Sequence, residues 1–271
     1  MPDPQELLHV AIAAVTKAGD ILIEGLDRSE LEVEHKSERA SIVTWADLTA
    51  QAAIFEIIGA AYPGHAILGE EGDGGAAESD HTWMVDPLDG TSNYAHGIPF
   101  ACSSVAVRDA DGVVAGAIFE PFRRELFTAV RGGGAWLNGS RRLAVSSTAA
   151  ITKALICTGL QSDDPLDIAG HARRVAAMHT HARGPRMLGS PALCLAYVAA
   201  GRIDAFFERN ATYAWDVAAG SLMISEAGGF SEDLDGGPLN LGHGIANILA
   251  TNGTIHRDLF DLIAATDHPE Q

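Results

Sequence analysis

The segment Asp86-Pro87-Leu88-Asp89-Gly90-Thr91 places two acids three residues apart, directly before a glycine and a threonine. It follows a short apolar run, Thr82–Val85, whose β-branched and aromatic residues predict a strand. Pro87 restricts the backbone between the two acids, and Gly90 allows a ligand to approach the main chain closely. The spacing therefore predicts two carboxylates at a strand end that face one cation site.

The residues after the second acid predict a phosphate-binding helix end. Thr91, Ser92 and Asn93 are all residue types that cap helices. The first N–H groups of the helix that follows would form a cradle for phosphate oxygens.

Three other acids stand next to predicted elements. Glu70 follows a short apolar run, Asp47 precedes a helix, and Asp216 lies at or near the start of another helix. Each acid alone also fits a structural role, because loop acids are usually solvated and aspartate is a common helix N-cap. The pair Asp86 and Asp89, taken alone, is likewise typical of an acidic turn. It is the combination of these positions that favours a shared site.

Strand and helix patterns alternate on both sides of this segment. Helices are predicted over about 4–25, 47–61, 165–179, 191–200, 216–227 and 254–265. Residues 29–40 are predicted to be a surface loop, and 41–44 a short strand. Strand-rich hairpins dominate up to about residue 150, and helices alternate with strands after it. We therefore expect one α/β (α+β) domain over residues 1–271, made of two fused lobes at about 1–150 and 151–271.

Composition restricts the partners and the cellular compartment. The formal charge of −18 disfavours nucleic acid as a partner, because an acidic surface repels a polyphosphate backbone. No apolar run reaches the roughly 20 residues that span a bilayer, and the amino terminus does not resemble a signal peptide. Cys102, Cys157 and Cys194 form no Cys-x-x-Cys motif, which fits a reducing compartment. We expect a soluble cytoplasmic protein without a membrane or nucleic-acid partner.

Taken together, these motifs resemble the inositol monophosphatase family of lithium-sensitive, magnesium-dependent phosphatases. Asp86–Thr91 and Trp215-Asp216-Val217-Ala218-Ala219-Gly220 resemble its paired signature. The other matching segments, in the family's order, are Thr44-x-x-Asp47, Gly69-Glu70-Glu71, Gly189-Ser190, Gly201-x-x-Asp204 and Glu226-Ala227-Gly228-Gly229. The resemblance covers nearly the whole chain, and it implies a layered α-β-α-β-α sandwich like that of the sugar phosphatases.

The resemblance also implies a set of metal ligands. Glu70, Asp86 and the carbonyl of Leu88 resemble ligands of a first metal, and Asp86, Asp89 and Asp216 resemble those of a second. Oxygen ligands without Cys or His favour Mg²⁺ over Zn²⁺. Converging carboxylates would repel one another unless divalent cations neutralised them. The family implies two Mg²⁺ ions, with a third held weakly near Glu70.

Catalytic and substrate-binding roles follow from the same resemblance. Asp47, Thr91 and Glu70 resemble the catalytic residues, with Thr91 hydrogen-bonded to Asp47 so that the pair orients and activates water. The residues that resemble the substrate-binding set are Asp89, Gly90, Thr91, Arg186, Gly189, Ser190, Glu208 and Asp216. The implied substrate is a small phosphorylated polyol, above all inositol monophosphate, and the implied assembly is a homodimer. Glu208 also fits a plain strand-end acid.

The sequence departs from the family's usual pattern at two positions, and it is compatible with several other functions. Pro191 stands where the family usually has alanine, and Ser41 where it has aspartate. Neither is a predicted metal ligand, but the proline affects the detailed shape of the pocket. Histidinol phosphate, fructose 1,6-bisphosphate or a 3′-phosphonucleotide would suit the same metal site, because the metals contact only the phosphoryl group of the substrate. An aspartyl phosphatase of the haloacid-dehalogenase type has one residue between its acids, whereas this chain has two. A non-catalytic regulatory or binding protein that retains the fold is the alternative from another class.

Overall fold

The computed structural model describes residues 2–26, 33–35, 42–76 and 79–267. Ser41 and Lys36, the latter a lysine that resembles a family residue near the metals, lie outside the described residues. Residues 33–35 form a strand, so the prediction of an aperiodic loop over 29–40 was wrong there. The reason is pairing, because Val33 lies opposite Thr44 in an antiparallel ribbon that local sequence does not reveal.

The first half of the chain is rich in strands. Its elements are α1 (Pro4–Leu26), β1 (Val33–His35), β2 (Ile42–Thr44), α2 (Trp45–Ala61), β3 (Ala66–Gly69), β4 (Gly74–Gly75), β5 (Thr82–Asp89), α3 (Thr91–Ala95), β6 (Cys102–Asp109), β7 (Gly112–Glu120), β8 (Glu125–Val130), β9 (Gly134–Leu137) and β10 (Arg141–Arg142). Apart from β1 and β2, the strands form one eight-stranded sheet in the order β10-β9-β8-β7-β6-β5-β3-β4. Only the β3–β5 pair in this sheet is parallel among the described strands.

The second half alternates helices and strands. Its elements are β11 (Ile156–Thr158), α4 (Pro165–His181), β12 (Pro185–Arg186), α5 (Pro191–Ala199), β13 (Ala205–Glu208), α6 (Ala214–Glu226), β14 (Phe230–Glu232), β15 (Ile248–Thr251) and α7 (His256–Asp267). They build a five-stranded sheet in the order β12-β11-β13-β15-β14, with β11 parallel to both of its neighbours. The helices have the amphipathic or wholly apolar sequences that such packing requires.

Three buried clusters define five layers. α1 and α2 cover the outer face of the large sheet around Ile54 and Trp83. α5 and α6 lie between the two sheets, in a central cluster that joins Phe127 of the first half to Phe206 of the second. α4 and α7 cover the outer face of the small sheet around Met178. The order is α-β-α-β-α, which confirms the predicted layered sandwich.

Two helices begin with the same hydrogen-bonding pattern in the first turn. Asp47 and Asp216 are each the third residue of their helix, and each carboxylate accepts the backbone N–H of the residue before the helix, Thr44 and Tyr213 respectively. Both acids are therefore inside the first turn rather than at the N-cap. Acids in this position complement the helix dipole and satisfy N–H groups that have no partner within the helix. Among the described helices, none combines the length and apolar character needed to cross a bilayer.

Candidate active site

A β-bulge brings the two acids of the signature segment together. Asp86 pairs with Ser104 and Asp89 with Cys102, so β5 advances three residues while β6 advances two. In a regular strand, residues three apart point to opposite faces of the sheet. The extra residue of the bulge, in the stretch that contains Pro87, turns both carboxylates toward one pocket.

The third acid comes from the helix layer between the sheets. Ligand oxygens of Asp86, Asp89 and Asp216 all lie within 4.8 Å of one another, and all three side chains are buried. The N–H of Tyr213 donates to one oxygen of Asp216 at 2.7 Å, which fixes the orientation of that carboxylate. Glu70, at the end of β3, lines the same pocket. The structure therefore clusters three of the four predicted side-chain ligands, and the fourth, Glu70, lines the same pocket.

Burial and mutual repulsion make this cluster hard to ionise. The pKa of Asp86 is raised well above its ordinary value by burial and then by the charges of Glu70 and Asp89. Burial, followed by the charge of Asp89, raises the pKa of Asp216 in the same way. Burial also raises the pKa of Asp89 to about 6, although hydrogen bonds from Ser190 and the α5 backbone oppose it. Oxygen donors that repel one another this strongly fit a divalent cation of the Mg²⁺ type.

A hydrogen-bonded pair borders the acidic cluster. The Thr91 hydroxyl lies 3.1 Å from Oδ1 of Asp47 and 3.0 Å from the carbonyl oxygen of Leu88. The other carboxylate oxygen of Asp47 accepts the N–H and the hydroxyl of Thr44, at 2.7 and 2.6 Å. Burial is the main cause that raises the pKa of Asp47 to about 6. Asp47 is thus held rigidly next to Thr91, as the sequence predicts.

The helix after the signature segment differs from its prediction. α3 begins at Thr91 itself, and its N-cap is Gly90, which has a positive φ of 94°. Thr91, Ser92 and Asn93 were therefore wrongly predicted as the cap, because they lie inside the helix. A Cβ atom at residue 90 would lie 3.0 Å from the carbonyl oxygen of Phe100 and 3.1 Å from that of Gly189, so only glycine fits this position without strain.

Asp89 is anchored by the second half of the chain. Its Oδ2 atom accepts the hydroxyl of Ser190 at 2.5 Å and the N–H of Ala192, in the first turn of α5, at 2.7 Å. The Cys102 thiol lies 3.8 Å from the same oxygen. The sequence predicts Ser190 as a substrate-binding residue, but it does not reveal this contact with Asp89. No local signal could have revealed it, because the two residues are 101 positions apart.

The pocket beside the cluster has a volume of about 710 Å³. Of the predicted site residues, it is lined by Glu70, Asp86, Leu88, Asp89, Gly90, Thr91, Gly189, Ser190, Glu208 and Asp216. Burial raises the pKa of Glu208 to about 8, and its Oε2 atom has no hydrogen-bond partner. Arg186 is different: its side chain is exposed on β12 and donates to the carbonyl of Pro185, and it is not part of the pocket lining.

Known proteins resemble this chain along its whole length. Residues 3–269 match the sequence profile of the inositol monophosphatase family. Inositol-1-monophosphatase of Synechocystis sp. is 39% identical over 265 residues, 97% of this chain and 91% of that protein. Nus factor SuhB of Pseudomonas aeruginosa is 37% identical over 249 residues, 89% of this chain and 91% of that protein.

A solved structure gives the same result for the fold. The extragenic suppressor protein SuhB from Bartonella henselae superposes with a TM-score of 0.88 at 38% identity, covering 95% of this chain and 98% of that one. The five-layer sandwich, the clustered acids and the match over residues 3–269 agree with one another. This chain belongs to the inositol monophosphatase family, whose members are phosphoric monoester hydrolases.

Proposed function

We propose that this protein hydrolyses a small phosphate monoester with the help of Mg²⁺, and that inositol monophosphate is its leading substrate. The observation that carries the proposal is the convergence of Asp86, Asp89 and Asp216 within 4.8 Å beside a pocket of about 710 Å³. A relative that is 39% identical is named inositol-1-monophosphatase, which supports the choice of substrate.

The donor set fits a magnesium site. Glu70, Asp86, Asp89 and Asp216 would hold the ions, two or three of them, together with the carbonyl of Leu88. When bound, Mg²⁺ neutralises these carboxylates, polarises the phosphoryl group and makes a bound water more acidic. Within the described residues, the ligand cluster contains no Cys or His, which would have favoured zinc.

We assign to Asp47 and Thr91 the orientation of the attacking water, and the hydrogen bond between them supports this role. An ionised carboxylate only accepts hydrogen bonds, so the Thr91 hydroxyl donates its proton to Asp47. The lone pairs of the Thr91 oxygen are then directed away from Asp47 and accept a hydrogen bond from water in the pocket. Glu70 lines the same pocket as Thr91, and we assign it to the catalytic set as well. Water attacks the phosphorus directly, in line with the departing alkoxide, without a phosphoenzyme.

We assign to Glu208 the binding of the polyol. Its side chain is 4% exposed, and its unpartnered Oε2 atom belongs to a residue of the pocket wall. Because burial raises its pKa to about 8, the carboxyl group can be neutral and can both donate and accept a hydrogen bond. A sugar or inositol hydroxyl needs that combination. Gly90, Thr91, Gly189 and Ser190 supply the polar wall nearest the phosphate side, whereas a role for Arg186 rests on the family resemblance alone.

The test is phosphate release from a panel of inositol, sugar, histidinol and nucleotide phosphates, with and without Mg²⁺ and Li⁺. We expect Mg²⁺-dependent release, greatest with inositol monophosphate, and its loss in Asp86→Asn and Asp47→Asn. Asp261→Asn is the matched control, because Asp261 is exposed on α7 and contacts only Arg257 in the described pairs. Near-normal rates in both site variants would overturn the proposal.

A second function rests on a different relative. Nus factor SuhB of P. aeruginosa is 37% identical to this chain, so a regulatory binding role is the alternative to catalysis. Absence of turnover on every ester of the panel, with Mg²⁺ supplied, would favour it. The clustered acids favour catalysis, because a purely binding role does not need three buried carboxylates within 4.8 Å of one another.

Family membership supports further proposals about the protein in the cell. We propose a cytoplasmic homodimer that is inhibited by Li⁺ and folds as one domain of two fused lobes. The central cluster supports the single domain, since Phe127 and Phe206 belong to the same buried core. Light scattering gives the oligomeric state, and the Li⁺ arm of the panel gives the inhibition.

A further inference from the structure

Two cysteines lie in contact behind the wall of the pocket. The sulfur atoms of Cys157, on β11, and Cys194, on α5, are 3.2 Å apart. Both side chains are buried, and Cys194 is one of the residues that line the pocket. A disulfide needs a sulfur–sulfur distance of about 2.05 Å, so the pair must close by only about 1.2 Å. The third cysteine, Cys102, lies instead near the oxygens of Asp89 and Ser190.

The surroundings make the two thiols unequal. Hydrogen bonding from Cys194 lowers the pKa of Cys157, and the N–H groups of Leu188 and Thr158 act in the same direction. Burial is the main cause that raises the pKa of Cys194. Burial opposes this lowering at Cys157, but the direction of the shift makes Cys157 the thiol of the pair that ionises more easily. The thiolate is the nucleophile in disulfide formation, so Cys157 is the attacking residue.

The pair is also connected mechanically to the acidic cluster. The N–H of Cys194 donates to the carbonyl oxygen of Ser190, one turn earlier in the chain. The hydroxyl of Ser190 and the N–H of Ala192 hold Asp89. A displacement of Cys194 toward β11 is therefore transmitted to the same turn that orients Asp89.

We propose that Cys157 and Cys194 are a redox-sensitive pair, joined by hydrogen peroxide in a reversible disulfide that pulls α5 toward β11 and weakens its hold on Asp89. Cys157 gives up its proton, and its thiolate attacks one peroxide oxygen and breaks the O–O bond; the products are a sulfenic acid and a hydroxide, which takes up that proton and becomes water. Cys194 then attacks the sulfenic sulfur, and its proton leaves with the displaced hydroxide as water. In sum, two thiols lose two electrons and two protons, and one peroxide becomes two waters.

The first experiment detects the bond itself and needs no substrate. After treatment with peroxide and blocking of free thiols, trypsin separates the three cysteines into peptides 40–108, 154–173 and 187–202. We expect peptide 154–173 to be linked to 187–202, and the link to disappear after dithiothreitol. Peptide 40–108 should carry the blocked thiol of Cys102. A folded, peroxide-treated protein in which 154–173 and 187–202 remain separate would overturn the proposal.

The second experiment measures the consequence for the metal site by calorimetry with Mg²⁺. We expect the oxidised protein to bind Mg²⁺ about tenfold more weakly, and dithiothreitol to restore the affinity. Cys157→Ser should show the same affinity before and after peroxide treatment. Unchanged Mg²⁺ binding in a protein that carries the linked peptides would refute the coupling of the pair to Asp89.

The effect on catalysis rests on the proposed function, but the two experiments do not. If the disulfide forms and weakens Mg²⁺ binding while no ester is hydrolysed, the proposed function fails and the redox pair stands. If esters are hydrolysed but no linked peptide appears, the proposed function stands and the redox pair fails. Buried thiols of intracellular proteins rarely pair unless the disulfide is transient, which is the behaviour expected of a sensor.

Discussion

At the scale of single residues, Thr91 and Gly90 show how little freedom the site allows. Thr91 belongs to the signature segment, yet its hydroxyl is hydrogen-bonded to Asp47, which is 44 positions earlier in the chain. The segment alone predicts a hydroxyl near two acids, and the partner that directs its proton comes from the start of α2. Its neighbour Gly90 holds a backbone conformation that a side chain would disturb.

Thr91→Val removes the hydroxyl with little change in shape. We expect kcat to fall about 100- to 10,000-fold with a smaller change in KM, because the attacking water loses its hydrogen-bond acceptor. Thr91→Ser should recover most of the rate. Thr180→Val on α4 is the control, since Thr180 is exposed and its hydroxyl contacts only the carbonyl of Ala176 among the described contacts. Steady-state kinetics of the unmodified protein and the three variants tests this prediction. An active Thr91→Val enzyme would refute the role of Thr91.

Gly90→Ala tests the close approach of the backbone. The new Cβ would lie 3.0 and 3.1 Å from two carbonyl oxygens at a φ of 94°, so we expect a loss of about 1–3 kcal/mol in the free energy of unfolding. Gly97→Ala is matched to it, because Gly97 has a φ of 68° but nothing within 4 Å of its Cβ position. Urea unfolding should show the smaller loss for Gly97→Ala. Equal losses would mean that backbone conformation alone explains the effect.

At the scale of elements, most helices form where the sequence predicts them, while their first residues differ. The predicted helices over 47–61 and 216–227 begin at Trp45 and Ala214 in the structure. The acids taken as candidate caps are inside the first turn, where they accept the backbone N–H groups of Thr44 and Tyr213. Apolar periodicity marks the body of a helix well, but its start depends on which side chain reaches which N–H group.

The first turn of α5 is the element that holds Asp89. Ser190→Ala removes the 2.5 Å hydrogen bond from the Ser190 hydroxyl while it leaves that from the N–H of Ala192. We expect Mg²⁺ affinity to fall about tenfold, as it does when residues that orient metal ligands are removed. Ser221→Ala on α6 is the control, because the Ser221 hydroxyl contacts only the carbonyl of Ala218 in the described contacts. Calorimetry measures the Mg²⁺ affinity of both variants. An unchanged affinity in Ser190→Ala would show that the N–H of Ala192 is sufficient to orient Asp89.

At the scale of the whole molecule, the site is an assembly of distant parts. Asp86 and Asp89 come from the large sheet, Asp216 from the layer between the sheets, and Glu208 from the small sheet. Because burial of so many acids is unfavourable unless cations are present, we expect folding and metal binding to be coupled.

The metal-free protein should lose stability as the pH rises. Burial raises the pKa of Asp89 to about 6 and that of Glu208 to about 8, above their ordinary values of 3.8 and 4.5. The unfolded chain therefore releases these protons at lower pH than the folded protein, and the free energy of unfolding falls from about pH 4 to about pH 8. Below pH 4 both states keep the protons, and this contribution to stability is fully present.

Urea unfolding of the protein in EDTA, at pH 5 and pH 8, measures this effect. We expect lower stability at pH 8, and we expect saturating Mg²⁺ to reduce the difference because bound cations favour the ionised carboxylates. Groups away from the site titrate equally with and without Mg²⁺. Their contribution to the pH dependence is therefore the same in EDTA and in Mg²⁺ and cancels when the two are compared. A pH dependence that is the same in EDTA and in Mg²⁺ would contradict the coupling of the acids to the metal.

The alternation of helices and strands and the acids of the candidate site were predictable from the residues, and the family and its layered sandwich followed from the resemblance of the motifs. Apolar periodicity, residue types and short spacings are written locally along the chain, which is why they predict the elements and match the motifs of a family. The tertiary structure alone decided three things: the bulge that turns Asp86 and Asp89 to one side, the anchoring of Asp89 by Ser190, and the contact between Cys157 and Cys194. Each of the three depends on which strands and helices become neighbours, and that choice is made by packing of the whole core rather than by any local segment.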